Sequence, residues 1–241
     1  MTKESIRGRR IAVLVADGFE KIELTVPVAA LKAAGAVTEI VSLRPGRIRG
    51  VNLHEPASRV RVDKTLDEAD PRDYDALFIP GGFINPDLLR QSVAARRFVQ
   101  AFDNDGKPIA TLCHGPWVLA SAGLAAGRTL TSWPGIRDDV VNAGATWLDQ
   151  DVVRDGNWVS SRGPQDLRPS VKATVALFGQ RGTIARDNAL AAQSSPQRDT
   201  PPRAMITALK WLPRPSLRTL ALTAAAIAGV IYLSRRTRVA Y

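Results

Sequence analysis

Four apolar runs punctuate the first half of the chain. Ile11–Ala16 (Ile-Ala-Val-Leu-Val-Ala) ends at Asp17-Gly18, Val37–Leu43 follows Gly35, Ala76–Pro80 meets Gly81-Gly82, and Pro108–Leu112 leads into Cys113-His114-Gly115. Short runs that are mostly apolar and rich in branched side chains predict strands buried on both faces. Between them the period changes. Ile22, Val26, Ala29, Ala30 and Ala33 recur at helical spacing over Ile22–Ala34, with Gly35 placed as a left-handed C-terminal cap. A second helix is expected near Asp87–Phe102. Strand, helix, strand, helix predicts an α/β fold, a doubly wound and mostly parallel sheet with helices on both faces.

Residues 44–75 interrupt that alternation with Arg, Gly and Asp, and pieces such as Arg59-Val60-Arg61-Val62 predict an exposed antiparallel ribbon. Further strands are expected at Thr129–Ser132, Trp147–Val153 and Trp158–Ser161, and helices near Arg137–Ala143 and Gln165–Phe178. The globular pattern stops at Gly179, which sets the domain at 9–180. Residues 181–203 have the composition of a solvated, flexible linker, and 204–241 form a basic tail.

Composition narrows the picture. A chain of 241 residues, 45% hydrophobic and 23% charged, fits one ordinary domain with an appendage and excludes collagen-like, coiled-coil and wholly disordered chains. Its single cysteine, Cys113, excludes an intrachain disulfide and any thiolate zinc or iron-sulfur site built from one chain. The net charge of +10 is uneven: residues 1–182 carry 24 Lys and Arg against 21 Asp and Glu, and residues 183–241 carry 9 against 2. The excess therefore speaks of a tail that meets anionic surfaces, and no specific nucleic acid is expected for the body.

Within the tail, Thr219–Ser234 is an uncharged run bounded by Arg218 and by Arg235, Arg236 and Arg238. A helix of that length spans about 24 Å at about 1.5 Å per residue, short of a hydrocarbon core of about 30 Å. Snorkelling arginines and the aromatics Trp211 and Tyr232 nonetheless predict a membrane-associated helix over 217–234, with docking on the body or on another subunit as the alternative. Ile11–Ala16 is too short for a signal-peptide core, so the body is expected in the cytoplasm, tethered to a membrane by the tail.

Cys113 sits where a strand ends and a helix begins, beside His114. A thiol there is expected to have a lowered pKa, and Gly115 permits the tight bend of a nucleophile elbow. The alternative is a buried free cysteine. Glu20 and Glu23, spaced i and i+3, share a helix face over the same sheet edge, or else merely complement the helix dipole. Gly81-Gly82 leaves backbone bare at another strand end, as an oxyanion hole or a plain turn.

Together these segments resemble the PfpI-type intracellular cysteine peptidase and protein deglycase family, a branch of the class I glutamine-amidotransferase-like superfamily. The similarity runs in order through Ala16-Asp17-Gly18-Phe19-Glu20-Lys21-Ile22-Glu23-Leu24, Ile79-Pro80-Gly81-Gly82, Gly106-Lys107-Pro108 and Cys113-His114-Gly115-Pro116. It continues through Leu130-Thr131-Ser132-Trp133-Pro134-Gly135-Ile136-Arg137-Asp138-Asp139, Asn142-Ala143-Gly144-Ala145 and Asp155-Gly156-Asn157-Trp158-Val159-Ser160-Ser161-Arg162. The resemblance implies a flavodoxin-like sandwich in which Cys113 is the nucleophile, His114 its neighbour, and Glu23 is hydrogen-bonded to the thiol with Glu20 close by. It implies oxyanion donors in the N–H groups of Gly82 and His114. It also implies a homo-oligomer in which Asp87 reaches a partner's histidine; Phe83, Ile84, Leu88 and Leu89 are expected as exposed apolar positions there, packing on a partner or on the chain's own core.

The implied substrates are dicarbonyls, peptides, and small molecules or proteins carrying glycated amines. The shared step is thiolate attack on an electrophilic carbon, without cofactor or metal. The only other histidine, His54, lies upstream in the ribbon and reads as a surface residue, which sets glutamine amidotransfer aside. The alternative function is a noncatalytic redox-sensing stress protein or chaperone that uses oxidation of Cys113.

Overall fold

The computed structural model describes residues 6–180, 193–198 and 200. β1 (Arg10–Leu14) leads through the two-residue β2 (Phe19–Glu20) into α1 (Lys21–Ala33), and β3 (Val37–Ser42) follows. The ribbon β4 (Arg47–Asn52) and β5 (Glu55–Arg61) precedes β6 (Lys64–Thr65) and β7 (Ala76–Ile79). Then come α2 (Ile84–Gln91), α3 (Val93–Asn104), β8 (Ile109–Leu112) and α4 (Pro116–Ser121). The body closes with β9 (Thr129–Leu130), α5 (Arg137–Asn142), β10 (Thr146–Trp147), β11 (Val152–Asp155), β12 (Trp158–Ser161) and α6 (Leu167–Gly179). Seven strands form the main sheet in the order β11-β12-β8-β7-β1-β3-β6, and only the β11–β12 pair is antiparallel.

The continuous apolar runs arise because the sheet is covered on both faces. Along β1, Ala12 and Leu14 enter one buried cluster while Ile11 and Val13 enter the other; along β7, Leu77 and Ile79 part in the same way from Ala76 and Phe78. Alternate side chains thus feed two cores, and these positions of β1 and β7 are apolar on both sides. Gly35 takes φ +93 at the end of α1, the left-handed cap expected of it.

Several elements differ from the expectation. The helix near Asp87–Phe102 is two helices, because Ser92 adopts extended backbone (φ −79, ψ 123) and its side chain accepts from the Ala95 N–H to cap α3. Trp147–Val153 is not one strand: β10 ends at Trp147, and β11 begins at Val152 on the other side of a turn. β2, too short to show in any pattern, ties the chain after β1 to the ribbon by pairing Phe19 with Gly50 and Glu20 with Val51. Leu89 is fully buried, whereas Phe83, Ile84 and Leu88 are exposed as expected.

The linker reading also changes over 193–198. β10 pairs only with β9, so its other edge is open, and the chain returns to fill it. Ser195 N–H donates to Trp147 O at 2.7 Å, Trp147 N–H to Ser194 Oγ at 3.0 Å, and Arg137 Nε to Ser195 O at 2.8 Å. Arg198 pairs with Asp149 at 2.7 Å. Among the described residues no helix is long and apolar enough to cross a membrane. The tail 204–241, with the helix expected at 217–234, lies outside them.

Candidate active site

Three strand ends converge on Cys113. It follows β8 with φ +57, a conformation a non-glycine residue adopts only when the surroundings impose it. The surroundings are visible: Cys113 N–H donates to Ser161 O at 2.9 Å, and Cys113 O accepts from Trp133 N–H at 2.8 Å. The elbow expected here is therefore real, but the left-handed residue is the cysteine itself. Gly115 has an ordinary helical φ of −51 and is needed for space, since a Cβ there would collide with Thr111 Oγ1 and lie 2.9 Å from Leu112 O.

The Gly81-Gly82 turn forms the opposite wall. Gly82 has φ +84, and a Cβ on it would stand 2.5 Å from Gly18 O and 2.6 Å from Glu20 N. Asn85, which sequence reasoning missed, clamps this turn from the start of α2. Its buried amide donates to Pro80 O at 2.8 Å and Gly81 O at 3.1 Å, and its Oδ1 accepts from Ala16 N–H at 2.7 Å. An asparagine three residues past a glycine pair was the only sequence signal for it.

Glu23, in the first turn of α1, is completely buried against Gly81 and Cys113. Neither carboxyl oxygen makes a hydrogen bond of good geometry, although the Cys113 thiol and the Gly81 and Gly82 N–H groups adjoin it. Burial, then the nearby Glu20 charge, push its pKa up to about 8. Glu20 lies at the end of β2 and accepts from Leu53 N–H at 2.8 Å; burial raises its pKa as well. It acts on Glu23 electrostatically.

The lowered thiol pKa expected for Cys113 does not hold. Burial first, then the charge of Glu23, push the thiol well up, while the N–H groups of Gly82 and His114 pull the other way. α4 is only six residues long and begins at Pro116, so its dipole cannot outweigh the loss of water. Cys113 and Glu23 titrate as one unit. Protonated at neutral pH, Glu23 exerts no repulsion, so negative charge that develops on the sulfur meets only the two amides aimed at it.

His114 Nδ1 lies 3.1 Å from Cys113 Sγ. The ring stacks on Trp133 (5.9 Å between centroids, 21° between planes) and packs against Trp117 at 5.1 Å. Burial lowers its pKa to about 4, opposed by Asp139, so the imidazole is neutral and able to accept a proton. Asp139 also accepts from Trp117 Nε1 at 2.9 Å. These three residues were not singled out in the sequence, although Trp133 and Asp139 lie inside a motif quoted for the resemblance.

The structure thus brings Cys113, His114, Glu23, Glu20 and Gly82 together within one chain. Asp87 is not among them; it is exposed on α2, where its carboxylate accepts from Gln91 Nε2 at 3.1 Å. His54 is on the surface beside Glu55, 3.5 Å away. Among the described residues no cluster of three or more His, Cys, Asp or Glu is placed to hold a metal. The packing also makes a prediction. A Cβ at Gly81 would overlap Glu23 Oε2 and stand 2.5 Å from Cys113 Cβ, so Gly81→Ala should cut the rate of Cys113 alkylation or turnover at least tenfold. Unchanged rates would mean that the carboxyl and the thiol do not share this space.

Comparison with known proteins gives the same frame. The chain is 44% identical over 169 residues to a deglycase of Thermococcus kodakarensis, covering 70% of this chain and 99% of that one. It is 39% identical over 173 residues to the protein/nucleic acid deglycase 2 of Escherichia coli, covering 71% and 99%. A two-domain protein of Anabaena variabilis with DJ-1/ThiJ/PfpI-like and ferritin-like domains superposes with a TM-score of 0.68 at 34% identity, over 75% of this chain and 51% of that one. Residues 9–176 match the DJ-1/PfpI family, and this chain belongs to it.

Proposed function

We propose that this protein is a cysteine-dependent hydrolase of the deglycase type, acting on amines modified by dicarbonyls, with Cys113 as nucleophile. The observation that carries the reading is the convergence on one buried sulfur of a left-handed elbow, two backbone N–H groups and a carboxyl whose pKa is near 8. In a dicarbonyl-modified amine the carbon bonded to nitrogen carries a hydroxyl; Sγ bonds to that carbon as the C–N bond breaks and its electron pair leaves with the amine, while Gly82 and His114 N–H hold the hydroxyl oxygen. The thiol proton passes to His114 Nδ1. Glu23, protonated at neutral pH, supplies a proton to the departing amine as the C–N bond breaks, and water then frees the group held on sulfur. Names of the relatives add support, since two of them are deglycases.

The test is release of free amine from a methylglyoxal-modified lysine or arginine derivative by the full chain. No release by the native protein, with Cys113 instead oxidised to a sulfinate beside protonated Glu23, would turn the reading toward a redox sensor.

Assembly and tethering belong to the same proposal. Phe83, Ile84 and Leu88 are 46%, 39% and 37% exposed around Asp87, a face suited to a second copy of the chain. Light scattering of the full chain should give at least a dimer; a strict monomer at high concentration removes any role for Asp87. The tail is proposed to hold the body at a membrane. In fractionated cells the full chain should pellet with membranes while a chain ending at Arg203 stays soluble, and equal solubility of both ends that idea.

A further inference from the structure

We propose that the outer face of the β4–β5 ribbon is a docking surface for the phosphate backbone of double-stranded nucleic acid, independent of the reaction at Cys113. The register sets Arg47 opposite Arg61 and Arg49 opposite Arg59, with Ile48 opposite Val60 between them. Alternation puts all four arginines on one face, and all four are exposed, while Ile48 is fully buried on the other. Among the described residues none of the four guanidinium groups has an ion-pair or hydrogen-bond partner. Asp17, beside β4, is already taken by Arg44 and by the Arg49 backbone N–H. Like charges directly opposite each other on a ribbon cost stability, so this ladder is held together against its own repulsion.

A bland reading is that charge on an edge strand blocks unwanted pairing. It accounts for Arg59 and Arg61 on β5 and for Arg47, which lies beyond the two residues of β2, but not for Arg49. Arg49 has its carbonyl bonded to Gly18 N–H and its N–H to Asp17, so no open edge remains there to protect.

The chemistry selects the partner. Two parallel rows of planar, bidentate cations fit phosphodiester oxygens, and a two-stranded ribbon has the width that a duplex groove admits. Neither strand carries an aromatic side chain, so bases of a single strand have nothing to stack on, and binding to the phosphate backbone alone is blind to sequence. A bilayer fits less well, since none of the exposed large apolar side chains of the body lies on this ribbon to enter lipid. The surface adjoins the candidate site: β4 pairs with β2, and Leu53, at the hairpin tip with φ +59, donates to Glu20.

The test is binding of a mixed-sequence duplex of about 25 base pairs to the full chain across a range of KCl. Because residues 183–241 carry nine cations of their own, the reading is the change in salt slope and not affinity alone. Each phosphate that is no longer neutralised lowers the slope of log K against log salt by about 0.9. Replacing Arg47, Arg49, Arg59 and Arg61 by Gln should therefore lower it by about 3.6; a fall of less than about 1.8, the equivalent of two phosphates, overturns the proposal. Arg235→Gln with Arg236→Gln and Arg238→Gln should lower it separately and additively. Should the fourfold variant not fold, Arg59→Gln with Arg61→Gln on the outer strand should lower it by about 1.8, and less than about 0.9 overturns it. Phosphatidylserine vesicles are the rival ligand. If the fourfold variant loses vesicle binding while its duplex slope is unchanged, the ladder serves a bilayer and the proposal is wrong.

Discussion

Replacement of Cys113 by Ser is expected to abolish turnover, by at least about 10³-fold, without unfolding the protein. The fold should tolerate it because serine is nearly isosteric and keeps the backbone bonds to Ser161 and Trp133 that hold φ at +57. The chemistry should not. A buried hydroxyl is much harder to ionise than a thiol and is the poorer nucleophile, so the neutral His114 that takes the thiol proton cannot bring it to a comparable rate. Alkylation gives an independent readout, since Cys113 is the only thiol in the chain. Burial pushes that thiol up, so its rate of reaction with iodoacetamide should rise steadily with pH above 7 and show no acidic plateau. Fast, pH-independent labelling between pH 5 and 7 would mean that a thiolate persists in the resting protein. Residual turnover by Cys113→Ser above a hundredth of the native rate would remove Cys113 as nucleophile.

The revised thiol behaviour marks where sequence stops being informative. A strand end, a cysteine, a histidine and a glycine are visible in a row, and so is the direction in which a helix start would shift a thiol. The depth at which the sulfur lies is not visible, because it depends on Gly81 and Glu23, residues 32 and 90 positions away that arrive only when the sheet is assembled. The strands were legible for a simple reason. A parallel sheet covered on both faces leaves each core strand apolar without alternation, as in Ile11–Leu14 and Ala76–Ile79, all buried. The break at Ser92 was not legible, since the apolar period continues across it and the decision is made by one side-chain cap on Ala95. Asn85 was hidden for the opposite reason. A polar residue in a presumed loop looks solvated, whereas here it bonds three buried backbone groups, Pro80 O and Gly81 O of the turn and the Ala16 N–H after β1. The polar composition of 193–198 misled in the same way, because two serines serve as the missing neighbour of β10.

Replacing Glu23 by Gln should separate catalysis from stability, moving them in opposite directions. Gln has the same shape and keeps the buried position, but it has no acidic proton to deliver. Loss of general acid catalysis is expected to lower kcat by about 10²- to 10⁴-fold. Stability should respond to pH. The carboxyl has an ordinary value of 4.5 and a native value of about 8, so the unfolded chain releases its proton first. Below pH 4.5 the group is neutral in both states and carries no penalty; as pH rises toward 8 the native state is increasingly disfavoured. The full difference corresponds to a cost on the order of 5 kcal/mol, reached only above pH 8. Native protein should therefore lose thermal stability between pH 5 and pH 8.5, whereas Glu23→Gln should lose much less over the same range and become the more stable of the two at the alkaline end. Thermal melts at four or five pH values, with kcat measured on the same samples, are sufficient. Parallel melting curves would mean that Glu23 is ionised in the native state and that no carboxyl proton is available. Unchanged kcat in the variant would make the carboxyl a packing element, leaving His114 Nδ1 as the single proton carrier beside the sulfur.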